Sequence, residues 1–268
     1  HKLSHIFFNF PKLIEPQRSL LVVRKQVLVS YLSTLFPKLG IFDINYKTLN
    51  DLIYNFIFRE ELKITPDFEL PVKNKLLDLK TLQKVRKNLL EISENYEEKL
   101  DQVFEGDLES YGGYSYDPEL TPYENLQYVV QELSEEFKTQ KELLKDNPKS
   151  DRLWLYKLNV KSLRKILNKL NKLKRDLKTK DFNNLIKEVD IETDKSLDYA
   201  SSLLYVYIYS EIIGFAKYRK YQYCVVDEGQ DFSPLEFAVM EKFILHKRFC
   251  ILGDLNQKYT EASIESWD

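Results

Sequence analysis

The segment CVVDEGQDFSPLE, residues 224–236, decides how this chain is interpreted. A short apolar run from Cys224 to Val226 ends in two adjacent carboxylates, and an amide and a third acid follow shortly after. In open α/β sheets, ligands bind outside the carboxyl ends of the parallel strands. The segment therefore predicts a buried strand that carries Asp227 and Glu228 to a ligand site.

An acid pair at the end of an apolar strand is the Walker B arrangement for nucleotide hydrolysis. Asp227 would hold Mg²⁺ through water, because Mg²⁺ keeps part of its hydration shell. Glu228 would orient and deprotonate the water that attacks a γ-phosphate. A structural interpretation stays open beside this one, because exposed acids also begin helices and the run from Asp231 to Pro234 is typical of an N-terminal cap.

Composition limits the class of protein. The chain has 268 residues, of which 43% are hydrophobic and 31% are charged. Its net charge of -2 argues against nonspecific binding of nucleic acid over the whole surface, but it leaves room for a local basic face. No apolar stretch approaches the roughly 18–20 residues that span a bilayer, and the start of the chain does not read as a signal peptide. Cys224 and Cys250 lie in apolar runs, so we expect buried thiols, no disulfide and a cytoplasmic location.

Three zones follow from the hydrophobic pattern: residues 1–70, 71–195 and 196–268. The first predicts a strand at Leu20–Val23, a helix that stops near Pro37 and Gly40, a second short strand in IFDIN (41–45), and a helix that begins at Thr48. The third zone predicts a long apolar helix, a strand ending at Asp227, a helix over FSPLEFAVMEKFILHK (232–247) and a strand in RFCILGD (248–254). Alternating strands and helices predict an α/β fold with a parallel sheet flanked by helices.

The middle zone predicts an inserted helical subdomain, coiled-coil-like and packed as an antiparallel arm. Apolar residues recur at steps of three and four in two stretches: Leu82, Val85, Leu89, Ile92, Tyr96, Leu100 and Val103, then Leu163, Ile166, Leu170, Leu173 and Leu177. The second stretch is surrounded by lysines and arginines between positions 161 and 178. This charge is either a solvated face or a contact for phosphates or an acidic protein.

The strings DEGQDFSPLE and ILGDLNQ resemble motifs II and III of the UvrD/Rep-type superfamily 1 helicases, which are written D-E-x-Q-D and G-D-x-x-Q. The resemblance implies a RecA-like, P-loop NTPase fold that binds ATP and Mg²⁺ beside a track for single-stranded nucleic acid. It assigns Mg²⁺ binding to Asp227 and the catalytic base to Glu228. It makes Gln257 the γ-phosphate sensor. The remaining motif residues, Gln230, Asp231 and Asp254, would form the network that couples the ATP site to DNA.

The segment SLLVVRKQVLVSYLSTLFPKLG (19–40) resembles the HelD-like branch of this family. The resemblance makes Thr48 a candidate for nucleic-acid contact, because it matches the position of a motif threonine in that branch. The loop VVRKQ (22–26) departs from the usual motif, but Arg24 and Lys25 are still candidates for contact with a phosphate. The sequence after motif III departs from the family's pattern, since it lacks the usual aromatic residue and arginine. In a shifted register, Tyr259 or Trp267 is the candidate replacement for base stacking.

No G-x-x-x-x-G-K-[ST] motif occurs in the sequence, and KLSHIFFNF (2–10) resembles the helix that follows the Walker A loop. The expectation is therefore a fragment of the first motor domain, inactive alone, from a parent that hydrolyses ATP. Its leading function is a helicase or translocase on single-stranded or partly duplex DNA. Two alternatives remain: a HelD-like ATPase whose arm remodels RNA polymerase, and a motor subunit of a nuclease or defence complex.

Overall fold

A computed structural model describes residue 9, residues 14–104, residue 114 and residues 116–257. The α-helices are α1 (Gln26–Leu35), α2 (Leu49–Arg59), α3 (Leu79–Phe104), α4 (Pro122–Asp146), α5 (Leu153–Asp176), α6 (Phe182–Glu188), α7 (Tyr199–Ile212) and α8 (Pro234–Lys242). The strands are β1 (Ser19–Val22), β2 (Asn45–Lys47), β3 (Tyr223–Val226) and β4 (Phe249–Ile251). No helix within these described ranges is long and apolar enough to cross a membrane.

The four strands form one parallel sheet in the order β2-β1-β3-β4. The register sets Leu21 beside Tyr46 and Val225, and Val225 in turn beside Cys250. The central strands β1 and β3 are buried along almost their whole length. Strands buried on both faces read as continuous apolar runs, which is why SLLV and YCVV lack alternation.

Helices flank this sheet, so the predicted α/β class is confirmed. On one face, Leu28 and Leu32 of α1 pack against Leu21, Val23 and Val225. The helix α2 begins at Thr48 as predicted, because the Thr48 side chain accepts a hydrogen bond from the Asp51 N–H and Asp51 bonds back to the Thr48 N–H. The two cysteines lie in β3 and β4 as predicted; Cys224 is buried, whereas Cys250 is only partly buried.

Two of the predicted elements were wrong in their limits. The strand expected in IFDIN (41–45) is instead Asn45–Lys47, because Asp43 has a left-handed φ of 61° that interrupts an extended run. The helix expected over 232–247 covers only Pro234–Lys242. The chain then turns, since His246 and Lys247 have φ values of 53° and 51°.

The described residues fall into two compact units. The first comprises those up to Val85, together with 191–207 and those from Phe215 on; the second comprises 86–190 and 208–214. In the second unit, α4 and α5 run antiparallel. The Asn159 amide donates to Gln140 Oε1 at 3.2 Å, and Lys174 lies 4.9 Å from the centre of the Tyr123 ring near the other end of the pair.

The buried seam of α5 consists of the predicted apolar repeat. Leu163, Ile166 and Leu170 are fully buried, and so is Leu177 just after the helix ends. Their spacing of three to four residues places them on one face of the helix. The lysines between them lie outside this seam, and the long predicted helices are confirmed.

Candidate active site at the carboxyl edge of the sheet

Three loops meet at the carboxyl edge of the sheet because their strands are parallel neighbours. The Asp227 N–H donates to the Val22 carbonyl at 3.0 Å, which ties the loop after β3 to the end of β1. The Gly229 N–H donates to the Leu252 carbonyl at 2.7 Å, which ties the same loop to the segment after β4. The sequence segments DEGQD and GDLNQ, far apart along the chain, therefore lie side by side.

The two adjacent acids lie in different environments. Asp227 is half-buried, whereas Glu228 is exposed. Burial, and secondly the charge of Glu228, raise the pKa of Asp227 above its ordinary value. A divalent cation beside Asp227 would favour the ionised carboxylate that burial and Glu228 disfavour, so this position suits a metal ligand.

Glu228 has a left-handed backbone, with φ 52° and ψ 46°. Non-glycine residues seldom adopt this region, and such strain concentrates at active sites and switch regions. It turns the chain directly after β3, which leaves the Glu228 carboxylate exposed beside the half-buried Asp227.

Gln230 joins the two motif loops. It is 0% exposed, its amide nitrogen donates to Glu228 Oε2 at 2.7 Å, and its amide oxygen accepts from the Asp254 N–H at 3.0 Å. Asp254 itself is exposed and accepts from the Asn256 N–H at 3.0 Å, at the start of the turn Leu255–Gln257. One buried amide thus connects the exposed acid after β3 to the turn after β4.

Gly253 makes this connection possible, and the sequence reading missed its role. A Cβ at Gly253 would lie 2.2 Å from the amide oxygen of Gln230 and 3.0 Å from the Gly229 nitrogen. The first distance is shorter than real Cβ contacts allow, and the second is at the tight end of those that occur. The close approach of the two loops therefore favours the glycine in the predicted G-D-x-x-Q pattern.

Arg24 takes part in a buried polar cluster rather than standing free at the surface. Its guanidinium forms an ion pair with Glu236, whose side chain is 1% exposed, and lies 5.2 Å from the centre of the Phe232 ring. The Tyr199 hydroxyl donates to Glu236 Oε1 at 2.6 Å. The Ser233 N–H donates to the other carboxylate oxygen at 2.6 Å.

The titration behaviour of this cluster follows from its burial. Burial, and then the charge of Glu236, raise the pKa of Tyr199 well above its ordinary value, so its hydroxyl stays a donor. Burial by itself lowers the pKa of Arg24, but the interactions with Glu236, Tyr199 and Asp231 together outweigh it and the net pKa is raised. The sequence did contain a signal for Glu236, because Ser233 and Glu236 have capping-box spacing at the start of α8.

The other predicted residues are distributed around this edge. Asp231 is buried, and its charge contributes to the raised pKa of Arg24. Ser233 rather than Asp231 caps α8. Lys25 is exposed and precedes α1, whereas Thr48 is buried as the cap of α2.

Gln257 ends the turn that Asp254 begins, but its side chain lies outside what the structure describes, as do the whole of Tyr259 and of Trp267. The motif residues Asp227, Glu228, Gln230 and Asp254 are therefore brought together. No contact described here joins Thr48 to them.

Asp227 is the residue at this edge that could hold a divalent cation such as Mg²⁺. Among the described residues, no group of three or more histidine, cysteine, aspartate or glutamate side chains converges as a metal site. Mg²⁺ is commonly held by one or two carboxylates together with waters and phosphate oxygens. Asp227 offers one such carboxylate at the strand end.

Comparison with known proteins agrees with this geometry. A search of curated proteins found no match. The family model described as the UvrD/REP helicase N-terminal domain matches residues 24–260, a range that includes β2, β3, β4 and both motif loops and begins just after β1. Members of this family are ATP-dependent helicases that bind nucleic acid and have a RecA-like α/β fold. With its parallel sheet and its two motif loops joined at the carboxyl edge, the chain belongs to the UvrD/REP helicase N-terminal domain family.

Proposed function

We propose that this domain supplies the hydrolytic edge of an ATP-driven translocase or helicase that moves on single-stranded or partly duplex DNA. The observation that carries the proposal is the Gln230 bridge between Glu228 and the Asp254 N–H, at 2.7 Å and 3.0 Å. A bridge of this kind links the position of the hydrolytic acid to the turn that contains Gln257. Coupling of hydrolysis to movement needs such a link.

Each carboxylate has a separate role in this proposal. Asp227 would hold Mg²⁺ through water, and the ion would neutralise charge on the phosphates of ATP when bound. Glu228 would accept the proton of the attacking water, for which its exposed position is suitable. Gln230 would hold the Glu228 carboxylate in one orientation, and Gln257 would report the γ-phosphate to the DNA track.

The decisive variant is Glu228→Gln, which keeps the shape of the side chain and removes the base. In the full-length protein we expect Mg·ATP binding to persist while turnover falls by about 10²–10⁴-fold. Glu69→Gln is the matched control, because Glu69 is exposed and lies outside the site. ATP binding would be followed by a fluorescent analogue and turnover by phosphate release, with and without single-stranded DNA. A Glu228→Gln rate equal to that of the control would remove Glu228 from the base role.

A HelD-like function in which the helical unit engages RNA polymerase is the second candidate. The supporting observation is a cavity of about 370 Å³ in the helical unit, lined by basic residues of α3, α5 and the turn after it. Lys99, Lys169, Lys172 and Lys180 line it, together with Asp176 and Asp181. Burial lowers the pKa of Lys174 nearby on the same helix.

The two candidates differ in what the helical unit binds. A translocase predicts DNA affinity that falls steeply with salt, because phosphate contacts release counterions. The polymerase candidate predicts association with purified RNA polymerase that survives nuclease treatment and is lost in Lys169→Glu/Lys172→Glu. Loss of DNA-stimulated ATPase in that variant, without any polymerase association in the parent, would favour the translocase.

A further inference from the structure

A small basic cavity lies in the first unit, away from the motif loops. It has a volume of about 190 Å³ and borders β2, the edge strand at the far side of the sheet from β4. Its walls come from the entrance to β1, the edge strand β2, the end of α2 and the segment leading into β3. Its cationic lining residues are Arg18, Lys47, Arg59, Arg219 and Lys220. None of the lining residues that the structure describes is acidic.

Arg18 provides the observation that points to a ligand. Its Nε atom is buried and has no hydrogen-bond partner in the described part of the chain. Buried donors of this kind almost always have an acceptor, supplied by protein, water or ligand. The described lining of the cavity offers no carboxylate to the Arg18 guanidinium, and an anion bound in the cavity would supply one acceptor for this cationic side chain.

Contacts of Arg59 and Asn45 hold two walls of the cavity in place. Arg59 lies 5.6 Å from the centre of the Tyr218 ring, which orients the guanidinium without an opposing charge. The Asn45 amide donates to the Gln17 and Ser19 carbonyls at 2.8 Å and 3.1 Å. These bonds fix the edge strand against the segment that contains Arg18.

The size of the cavity limits the ligand. Pockets that bury drug-sized molecules have volumes of roughly 300–1,000 Å³. A cavity of about 190 Å³ suits one phosphate group rather than a whole nucleotide. Guanidinium groups match phosphate oxygens by paired N–H donors, and three of the five cations are arginines.

We propose that this cavity binds a phosphate group, separately from the nucleotide site at the carboxyl edge. Two sources have the required chemistry: a free phosphate or pyrophosphate anion, and one phosphodiester of a nucleic-acid strand. The proposal does not depend on the ATPase assignment, because none of the cavity residues belongs to the motif loops.

The test uses the full-length protein with saturating Mg·ADP, which keeps the nucleotide site occupied. Inorganic phosphate, pyrophosphate and a short oligo-dT are titrated separately by calorimetry. Lys47→Glu/Arg219→Glu should weaken at least one of these probes by about tenfold or more. The matched control is Lys80→Glu/Lys84→Glu, which makes the same charge change at exposed positions of α3 outside the cavity. We expect the control to stay within about twofold of the parent.

The pattern of loss identifies the source. Loss of phosphate or pyrophosphate binding assigns the cavity to a free anion, and loss of oligo-dT affinity alone assigns it to a phosphodiester. Equal affinities of the pocket variant and the control for all three probes would overturn the proposal.

A second variant tests the proposal in case the charge-reversal variant Lys47→Glu/Arg219→Glu fails to fold. Arg18→Met removes the guanidinium, whose Nε has no partner among the described residues, and keeps most of the side-chain stem. Its Tm without added anion should be no lower than that of the parent, and the rise in Tm on adding the bound probe should be lost. A lower Tm together with an intact rise would make Arg18 structural and refute the proposal.

Discussion

The Glu236 carboxylate offers the sharpest test of how the loop after β1 is held against the helix after β3. It is 1% exposed and is bonded to Arg24, to the Tyr199 hydroxyl and to the Ser233 N–H. Glu236→Ala removes all three interactions at once. It should therefore destabilise the first unit far more than an ordinary surface change.

The expected magnitude follows from the contacts. Loss of the capping box contributes about 1 kcal/mol. Breaking a buried ion pair from one side typically contributes about 3–5 kcal/mol, but the Arg24 side chain is 31% exposed and water replaces part of the loss. We expect about 3–4 kcal/mol in total, which lowers Tm by roughly 6–16 °C for a unit of this size.

A double-mutant cycle separates the ion pair from the cap. Unfolding would be measured by urea denaturation for Arg24→Ala, Glu236→Ala and the double variant. A coupling free energy of about 1.5 kcal/mol or more is expected, because the two groups are in direct contact. Tyr199→Phe should lower stability by about 1.5 kcal/mol through loss of one bond to a charged acceptor.

The control lies on the same helix. Glu241 pairs with Lys247 at 3.1 Å near the surface, with side chains 30% and 70% exposed. Glu241→Ala should change stability by less than about 1 kcal/mol, as exposed ion pairs do. A coupling energy below about 0.5 kcal/mol for Arg24 and Glu236 would refute the proposed ion pair. Effects of two substitutions that add this closely are typical of residues that do not interact.

Three further outcomes are expected. Gly253→Ala should reduce DNA-stimulated ATPase by about tenfold or more through displacement of Gln230; an unchanged rate would contradict the bridge. Burial and Glu228 raise the pKa of Asp227, so ionisation of this carboxyl lowers the stability of the fold. This loss of stability is absent below the unfolded-state pKa and grows as pH rises through the folded-state pKa. Asp227→Asn should remove that pH dependence and, at neutral pH without Mg²⁺, raise Tm by about 1–3 °C in thermal melts, whereas a lower Tm would oppose it. Thr48→Ala should lower the free energy of unfolding by about 1 kcal/mol, and Thr48→Ser should restore it. If both variants bind DNA as tightly as the parent, Thr48 has no nucleic-acid role.

Local sequence patterns predicted the strands and helix ends that depend on residues close together in the chain. The strand before Asp227 and the strand around Cys250 follow from short apolar runs, and the start of α2 follows from Thr48 and Asp51. The strand expected in IFDIN failed because the left-handed residue Asp43 interrupts it, and no apolar pattern reports a backbone angle. The early end of α8 has the same kind of cause, since the chain turns through His246 and Lys247.

The sequence by itself determined that parallel strands would deliver Asp227 and Glu228 to one edge, because hydrophobic runs and their order along the chain specify which ends coincide. Only the tertiary structure decided how these residues are connected. It placed the Gln230 amide between two loops, favoured the glycine at position 253, and turned Arg24 inward to Glu236. Such contacts join residues far apart in the chain, and their geometry depends on the packing of all the elements between them.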